Sequence, residues 1–389
     1  MSRLHNSHVG LWQQRFVAEV IRALLAHLGR ANFTNLARFS HLHEHTFRRH
    51  FGRFFDWVSF NLVLLRLTLH PKETQIAVFD TSFLPKSGKR TYDLDKFFSH
   101  AAKTTRTGLE VSLLGVIGVE SRRTVAVDAT QTPPGLSKRP DDQKYSRVDF
   151  YLEQLTDLLP RLCAIRYYIG DGYYAKRKIF NTLTAGGKQV VTKLRSDANL
   201  RFVIAPERRR GRYGGKVLFS RFDHSHFENV GVLDDLPHIR QYTAHVNSEH
   251  FRRDLRLVVL VNERDGSYLV LCSTDVAQPA EQVVRYYRLR YQLEFVFRDA
   301  KQHVGLSQCQ ARDQHRIDFH LNAVVAAVNV GRLVGEHLGL SLASVSRQLY
   351  HSFVVESAWC ELRPRAELEL SEAGVMRVLR LGEIRWKPD

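Results

Sequence analysis

"YYRLRYQLEFVFRDAKQ", residues 286–302, combines the pattern of a buried helix with an unusual amount of charge. Apolar side chains recur every three or four residues and predict one buried helix face, made of Tyr286, Leu289, Leu293, Val296 and Ala300. A neighbouring stripe has the same spacing and carries Tyr287, Arg290, Glu294, Arg298 and Lys301. One interpretation of this stripe is a solvated face, with Glu294 in an i,i+4 ion pair with Arg290 or Arg298.

The composition of the chain points to a polyanionic partner. A length of 389 residues exceeds what one core usually organises, so two or three domains are expected. The chain has 57 Lys+Arg against 40 Asp+Glu, a formal charge of +17 that suits nucleic acid better than an acidic protein or a neutral metabolite. The four cysteines have no CxxC spacing, so neither a zinc knuckle nor a disulfide framework is indicated, and a reducing cytosol fits.

The sequence predicts neither a membrane span nor a signal peptide. The apolar run "FNLVLLRLTLH" (60–70) is interrupted by Arg66, and no run approaches the roughly 18 residues that a span needs. The start "MSRLHNSHVG" lacks the apolar centre of a signal peptide. We therefore expect a soluble protein inside the cell, without a membrane partner.

Residues 1–70 form a predicted basic helical domain, with nine arginines, eight histidines and three acids. Within it, "FTNLARFSHLHEHTFRRHF" (33–51) predicts two short helices around a turn near Ser40. This pattern permits a DNA-binding helix-turn-helix in which Arg48 and Arg49 contact phosphates. An ordinary helical hairpin fits the same pattern.

Residues 71–195 predict the first part of a mixed sheet covered by helices, an α/β fold. Three β-rich runs, "IAVFDTSFL", "LEVSLLGVIGV" and "TVAVDATQT", come first. A helical pattern at 148–161 is followed by a strand that ends at Gly170-Asp171-Gly172, a helix at 173–184 and the strand "QVVTKL". In such folds the loops at the strand ends hold the site.

Residues 196–280 predict a β-rich insertion, because after a basic loop they consist mostly of short strands. Helical patterning returns in 281–340, and 341–389 is charged and helical in character. In the basic loop "PERRRGRYGGK" (206–216), Arg210 and Arg212 have the spacing of residues that enter a DNA minor groove. A flexible basic linker is the alternative.

Three acidic residues from separate predicted elements suggest a metal site. Asp80 lies inside an apolar run, where a charge is costly unless it is paired or bound to metal. Asp171 ends a strand between two glycines, and Glu294 lies on the charged stripe. Converging carboxylates favour Mg²⁺ or Mn²⁺, in the two-metal arrangement that acts on phosphodiesters. Alternatively, Asp80 and Asp171 are turn residues, and Asp128 in "VAVDAT" is a rival strand acid.

The spacing of four residues resembles the signature of a known protein family. Tyr287, Arg290, Glu294 and Lys301 match Y-x2-R-x3-E-x6-K, the signature of cut-and-paste DDE transposases of bacterial insertion sequences (insertion sequence family four). The segments "STD", "FRDAKQHVGLSQCQAR", "FDTSFLPKSGKRTYDLDKFF" and "YIGDGYYAKRKIF" also resemble blocks of that family. The resemblance covers about residues 75–335.

This resemblance implies an RNase H-like fold, interrupted by a β insertion, with Asp80, Asp171 and Glu294 holding two Mg²⁺ or Mn²⁺ ions per active site. It implies that a water cuts the phosphodiester at a transposon end and that the freed 3′-hydroxyl attacks target DNA. Tyr287, Arg290 and Lys301 would contact phosphates, together with Arg298 on the same stripe. The implied partners are double-stranded transposon ends and target DNA, bound by a homodimer at the bacterial nucleoid in the cytoplasm.

The two lysines that follow Asp80 have two interpretations. Lys86 and Lys89, after Asp80, are either phosphate contacts or solubilising loop charges. The chain contains no GxxxxGK[ST] phosphate loop, which agrees with a reaction that needs no ATP. The alternatives to a transposase are a catalytically silent DNA-binding regulator descended from one and a metal-dependent DNA nuclease.

Overall fold

The structure is a computed structural model that describes residues 10–99, 101–136, 145–204, 213–217 and 227–362. In this part of the chain the α-helices are α1 (Leu11–Ala26), α2 (Phe33–Arg38), α3 (Glu44–His50), α4 (Trp57–Thr68), α5 (Arg147–Leu158), α6 (Arg177–Ala185), α7 (Ala280–Leu289), α8 (Tyr291–His303), α9 (Gln314–Leu338) and α10 (Leu342–Leu362). Short 3-10 helices occupy Leu159–Leu162, Gly172–Tyr174 and Leu306–Gln308.

The strands form one mixed sheet. They are β1 (Gln75–Pro85), β2 (Asp95–Ser99), β3 (Thr104–Gly118), β4 (Thr124–Gln131), β5 (Tyr167–Ile169), β6 (Gln189–Lys193), β7 (Leu200–Val203), β8 (Tyr213–Lys216), β9 (Glu228–Leu233), β10 (Leu236–Ser248), β11 (Arg253–Asn262) and β12 (Tyr268–Ser273). Their order is β2-β3-β1-β5-β6-β12-β11-β10-β7-β8, with β4 paired to β3 and β9 paired to β10.

Five of these strands have the RNase H-like arrangement. The order β4-β3-β1-β5-β6 places β1 in the centre, with β3 antiparallel to both of its neighbours. β5 runs parallel to β1, and β6 runs parallel to β5. The carboxyl ends of β1 and β5 therefore meet at one edge of the sheet, where α/β folds place their sites. The predicted mixed α/β, RNase H-like fold with N-terminal helices is confirmed.

The strand-rich segment predicted at 196–280 continues this same sheet. β12 pairs antiparallel with β6, and β11 and β10 follow outward from it. α7 then packs across β6, β11 and β12 and returns the chain to the centre of the sheet. The predicted β content is confirmed. The division into domains at 1–70, 71–195, 196–280, 281–340 and 341–389 stays a prediction.

The helical character of the N-terminal region is confirmed, and α2 and α3 lie within the predicted 33–51 segment. Glu19 of α1 stabilises the turn between α2 and α3, since it accepts hydrogen bonds from the Ser40 hydroxyl (2.8 Å) and the His41 amide (3.0 Å). Burial opposes ionisation of Glu19, but Arg22 and these hydrogen bonds outweigh it and lower its pKa to about 2. Helices α1 and α4 pack against α9, and the helix-turn-helix function stays a prediction.

Buried asparagines cover the outer edge of β4, which would otherwise expose unpaired backbone groups. Asn329 of α9 accepts a hydrogen bond from the Ala126 amide (3.0 Å) and donates to the Ala126 carbonyl (2.8 Å). Asn322, two helical turns earlier, makes the same pair of bonds with Ala129. Asn61 of α4 donates to the Val127 carbonyl (3.0 Å). These side chains fix α9 and α4 against the sheet.

Replacing Asn329 by Leu is expected to lower the free energy of unfolding by about 3 kcal/mol. The change leaves the buried Ala126 backbone groups and the Asn61 side-chain oxygen, at 3.0 Å from Asn329, without a partner. Urea denaturation measures the loss. A matched Val334→Ala variant on the exposed side of α9 should change stability by less than about 0.5 kcal/mol. Equal effects of the two substitutions would contradict this account of the strand edge.

One helix of the described part, α9, is long and apolar enough to cross a membrane. The expectation that no apolar segment reaches that length was therefore wrong for this helix. In the structure 72 % of its most apolar window is buried inside the protein. The buried Asn322 and Asn329 bind the edge of β4, so α9 is the central core helix in this structure.

The stretch 286–302 is helical but forms two helices, which corrects the prediction of one. The Arg290 amide bonds to the Tyr287 carbonyl (3.1 Å), and the Leu293 amide bonds to the Arg290 carbonyl (3.0 Å). This three-residue spacing tightens the chain at Arg290 and separates α7 from α8. The predicted apolar face is confirmed, since its five members are all buried. The sequence reasoning also missed β2, a short strand of alternating exposure at the edge of β3.

Candidate active site

Asp80 lies on β1, on the face of the sheet that α8 covers. Alternate residues of a strand share a face, so Asp80 faces the same side as Val78, which is opposite Gly115 of β3. A Cβ at position 115 would lie 2.8 Å from Cδ1 of Leu293, so the glycine makes room for α8. This close approach brings α8 over the strand that carries Asp80.

Asp171 lies next to Asp80 on the same face of the sheet. In the parallel pairing of β1 with β5, Val78 is opposite Ile169, and two residues further on Asp80 and Asp171 lie side by side. Oδ1 of Asp171 accepts a hydrogen bond from the Tyr173 amide (2.9 Å) and caps the 3-10 helix that follows. The turn interpretation of Asp171 is thus correct as well. It does not conflict with a place in the carboxylate cluster.

Gly170, the residue before Asp171, makes room for a buried aromatic side chain. A Cβ at Gly170 would lie 2.8 Å from the ring of Phe79, on the opposite face of β1 from Asp80. That ring contacts Tyr174 edge-on, with ring centroids 4.5 Å apart. Glycines on both sides of Asp171 were expected to let a backbone or a ligand come close, and at position 170 the close neighbour is an aromatic side chain.

Glu294 lies in the first turn of α8, with its side chain 42 % exposed. The partial positive charge of a helix N-terminus favours a carboxylate at this position. Together, Asp80, Asp171 and Glu294 form the carboxylate cluster of this site.

Arg290 lies between two members of the carboxylate cluster. Its Nη1 is 2.9 Å from an Asp80 oxygen, and its Nη2 is 2.8 Å from a Glu294 oxygen. The side chain is 10 % exposed, and its guanidinium carbon lies 5.1 Å from the centre of the Tyr291 ring. The i,i+4 pair with Glu294 considered from the sequence is present, but its arginine is buried rather than solvated.

The acidic groups of the cluster affect one another electrostatically. Burial raises the pKa of Asp80 to about 7; Arg290 opposes this rise, and the nearby Asp171 and Glu294 add to it. One guanidinium therefore does not neutralise the cluster, because three carboxylates lie around it. The cluster retains negative charge that a bound cation would stabilise.

The donor chemistry of the cluster fits a divalent ion, because carboxylate oxygens are the ligands that Mg²⁺ and Mn²⁺ prefer. In the arrangement of the described residues, however, no group of three His, Cys, Asp or Glu side chains is close enough to hold a metal ion. The guanidinium of Arg290 lies where it bridges Asp80 and Glu294 instead.

Asp128, the rival strand acid, lies apart from the cluster. It is opposite Leu114 of β3, which is in turn opposite Phe79 of β1, so Asp128 faces the side of the sheet away from Asp80. Its carboxylate accepts hydrogen bonds from Gln154 (2.7 Å) and Thr130 (2.9 Å). Burial raises the pKa of Asp128.

Two lysines that were predicted to contact DNA form hydrogen bonds between segments that are far apart in the sequence. Lys301 of α8 donates to the Ser82 hydroxyl (2.7 Å) and the Phe83 carbonyl (3.0 Å), directly after Asp80 in the chain. The ammonium of Lys86 donates to the carbonyls of Cys309 and Ala311, the latter at 3.2 Å. Burial lowers the pKa of both lysines. Their hydrogen bonds connect the segment after Asp80 to α8 and to the chain that follows it.

An open groove of about 1040 Å³ runs along these lysines. Its lining includes Thr81, next to Asp80, and the side chains of Lys86, Lys301 and Arg106. The groove is thus bordered by cations, and its lining reaches the residue next to Asp80.

The other predicted DNA contacts differ in exposure. Tyr287 is buried, with its ring 5.8 Å from the Arg290 guanidinium. Arg298, Lys89, Arg48 and Arg49 are exposed, and Arg48 pairs with Glu44 on α3. Arg210 and Arg212 lie outside the described residues.

Sequence reasoning missed a buried ion pair on the other face of the sheet from Asp80, the face of Phe83, which is opposite Glu110. Arg147 of α5 pairs with Glu110 of β3, which also accepts hydrogen bonds from the Tyr151 and Thr132 hydroxyls. Glu110 stands in an apolar run, as Asp80 does, and that was the available signal. Its partners lie far away in the sequence, so the pair itself had no local pattern.

Comparison with solved structures gives weak similarities. A variant of Ciona intestinalis endonuclease V, bound to a 23mer DNA that contains an inosine followed by a ribo-adenosine, has a TM-score of 0.27 and 12 % identity and covers 60 % of this chain and 86 % of its own. The same enzyme with a 24mer has a TM-score of 0.25 and 13 % identity, over 55 % and 80 % of the two chains. Neither similarity supports a conclusion about fold or function. No curated protein matches the chain in sequence.

A family model gives the informative match. It covers Asp171 and Glu294 with the elements that carry them, and it begins after Asp80. Residues 141–330, just under half of the chain, match the transposase DDE domain, and over that range the chain is similar to DDE transposases.

Proposed function

We propose that this protein is a DNA transposase of the insertion-sequence type, with Asp80, Asp171 and Glu294 as its metal-binding carboxylates. The observation that carries the proposal is the convergence of three acids, from β1, the end of β5 and α8, on one face of an RNase H-like sheet. The transposase-domain match over 141–330 supports the same reading. The Y-R-E-K spacing supports membership of insertion sequence family four.

The proposed reaction has two steps that use one site. When bound, Mg²⁺ or Mn²⁺ ions supply Lewis-acid stabilisation of the phosphodiester and lower the pKa of a water, and a pair of ions is the usual arrangement. In the first step, water attacks the phosphorus at the transposon end, and the 3′-oxygen leaves as a hydroxyl. In the second, that hydroxyl attacks a target phosphodiester, so one P–O bond forms as another breaks.

The residues of this chain would bind and orient the DNA. Asp80, Asp171 and Glu294 hold the ions, while the groove bordered by Lys86, Lys301 and Arg106 accepts the phosphate backbone beside them. Exposed cations such as Arg298 and Lys89 extend this contact, and Arg48 and Arg49 of α3 bind the terminal repeat. A homodimer at the bacterial nucleoid would hold two transposon ends together.

A cleavage and joining assay tests the proposal. The genomic DNA that flanks the coding region supplies the terminal inverted repeats for a duplex substrate. With Mg²⁺ or Mn²⁺, the protein should release 3′-hydroxyl ends and join them to a target plasmid. Cleavage without joined products would favour the nuclease alternative. Specific binding without cleavage in either metal would favour the silent regulator.

A further inference from the structure

The geometry points to Arg290 as an internal cation that competes with divalent metal ions for Asp80 and Glu294 and yields its place when DNA phosphate binds. The inference rests on the proposed function and goes beyond it, because it assigns this chain a closed, metal-excluding state in the absence of DNA.

The competition follows from the atoms that Arg290 uses. Its two terminal nitrogens donate to oxygens of the carboxylates proposed to hold metal, at 2.9 and 2.8 Å. A guanidinium and a metal ion cannot occupy the space between the same oxygens. Within the described ranges no three potential ligands are close enough to hold an ion, which is what a site closed by an arginine requires.

Arg290 also retains capacity for another partner. Its buried Nε donor has no hydrogen-bond partner, although the other two nitrogens are engaged. A guanidinium binds a phosphate through two parallel N–H groups, so a phosphate offers Arg290 a bidentate contact in exchange for its two carboxylate bonds. The neighbouring Tyr291, whose ring lies against the Arg290 guanidinium, is 51 % exposed. The side chain of Arg290 is therefore separated from solvent by a single aromatic ring.

The position of Arg290 in the backbone favours such a movement. It lies at the junction of α7 and α8, where the regular helical hydrogen bonding is interrupted. DNA phosphate that attracts Arg290 releases Asp80 and Glu294 for metal, and by linkage metal strengthens the binding of DNA by the same factor. The protein without DNA is thereby protected from acting as a metal-loaded nuclease.

Titration calorimetry with Mn²⁺ tests the inference on the full-length protein without DNA. Arg290→Gln removes the competing charge and should bind Mn²⁺ roughly tenfold to a hundredfold more tightly than the native protein. Arg288→Gln is the matched control, because Arg288 lies on α7 and pairs with Asp235 away from the cluster. That control should bind Mn²⁺ as the native protein does.

A second measurement uses the native protein alone, so it stands even if Arg290→Gln fails to fold. Adding a short random-sequence DNA duplex should tighten Mn²⁺ binding by the native protein. Equal Mn²⁺ affinity of the native protein with and without duplex would overturn the inference.

Two further variants separate this inference from the proposed function. If Asp80→Asn and Glu294→Gln abolish Mn²⁺ binding while Arg290→Gln leaves it unchanged, the metal site stands and the competition does not. If, with the duplex present, Asp80→Asn and Glu294→Gln bind Mn²⁺ like the native protein, the metal site itself is wrong and the proposed function fails with it.

Discussion

Replacement of Glu294 by Gln, or of Asp80 by Asn, is expected to lower the rate of DNA cleavage by about a thousandfold or more. Each change removes one charged ligand of the proposed metal site, and the several kcal/mol of transition-state stabilisation that metal supplies are lost at about 1.4 kcal/mol per tenfold. Single-turnover cleavage of an end-repeat duplex measures the loss. Binding of the same duplex, measured without divalent metal, should change little, since neither carboxylate carries the positive charge that attracts DNA.

Asp128→Asn is the matched control for these variants. Asp128 is also an acid on a strand of the sheet, but it lies on the opposite face and bonds to Gln154 and Thr130. Its amide variant should cut DNA at nearly the native rate. A Glu294→Gln protein that still cleaves, or an Asp128→Asn protein that does not, would contradict the assignment of the carboxylate cluster.

Replacement of Glu110 by Ala is expected to lower the free energy of unfolding by about 3–5 kcal/mol, because it leaves Arg147 as an unpaired charge. The side chain of Glu110 is only 6 % exposed and that of Arg147 is 17 % exposed. Glu110 also accepts hydrogen bonds from Tyr151 and Thr132. Urea or thermal denaturation measures the change.

A double variant separates the ion pair from simple loss of packing. Glu110→Ala with Arg147→Ala should be less destabilised than the sum of the two single variants, by at least about 1 kcal/mol. The exposed pair Arg195 and Asp197 is the surface control, and Asp197→Ala should change stability by less than about 0.5 kcal/mol. Additive effects at Glu110 and Arg147 would show that the two side chains do not stabilise each other.

Much of the fold could be predicted because its elements have local patterns. The runs that became β1, β3 and β4 are rich in branched apolar residues, and the apolar stripe of 286–302 repeats with helical spacing. The short strand β2 lacked such a run, since it has only five residues and begins with two charged ones, Asp95 and Lys96. The break between α7 and α8 at Arg290 was also missed. The apolar spacing continues across it, although the backbone hydrogen bonding changes there.

The candidate site was predictable in its residues and less so in its contacts. Acids inside apolar runs signalled Asp80, and the Y-R-E-K spacing signalled Glu294 and Arg290. The bonds of Lys86 and Lys301 to backbone carbonyls had no sequence signal. Each of these bonds joins residues more than two hundred positions apart, and no local pattern records such a distance.

The sequence by itself determined most of the helices and strands, the excess of positive charge, and the acids available for chemistry. Local spacing and composition are sufficient for these, because they depend on neighbours within a few residues. Only the tertiary structure decided that Asp80 and Asp171 share a face with α8, that Asp128 does not, and that Arg290 lies between two carboxylates. Strand register and helix docking set these relations, and both arise from burial of apolar surface across the whole chain.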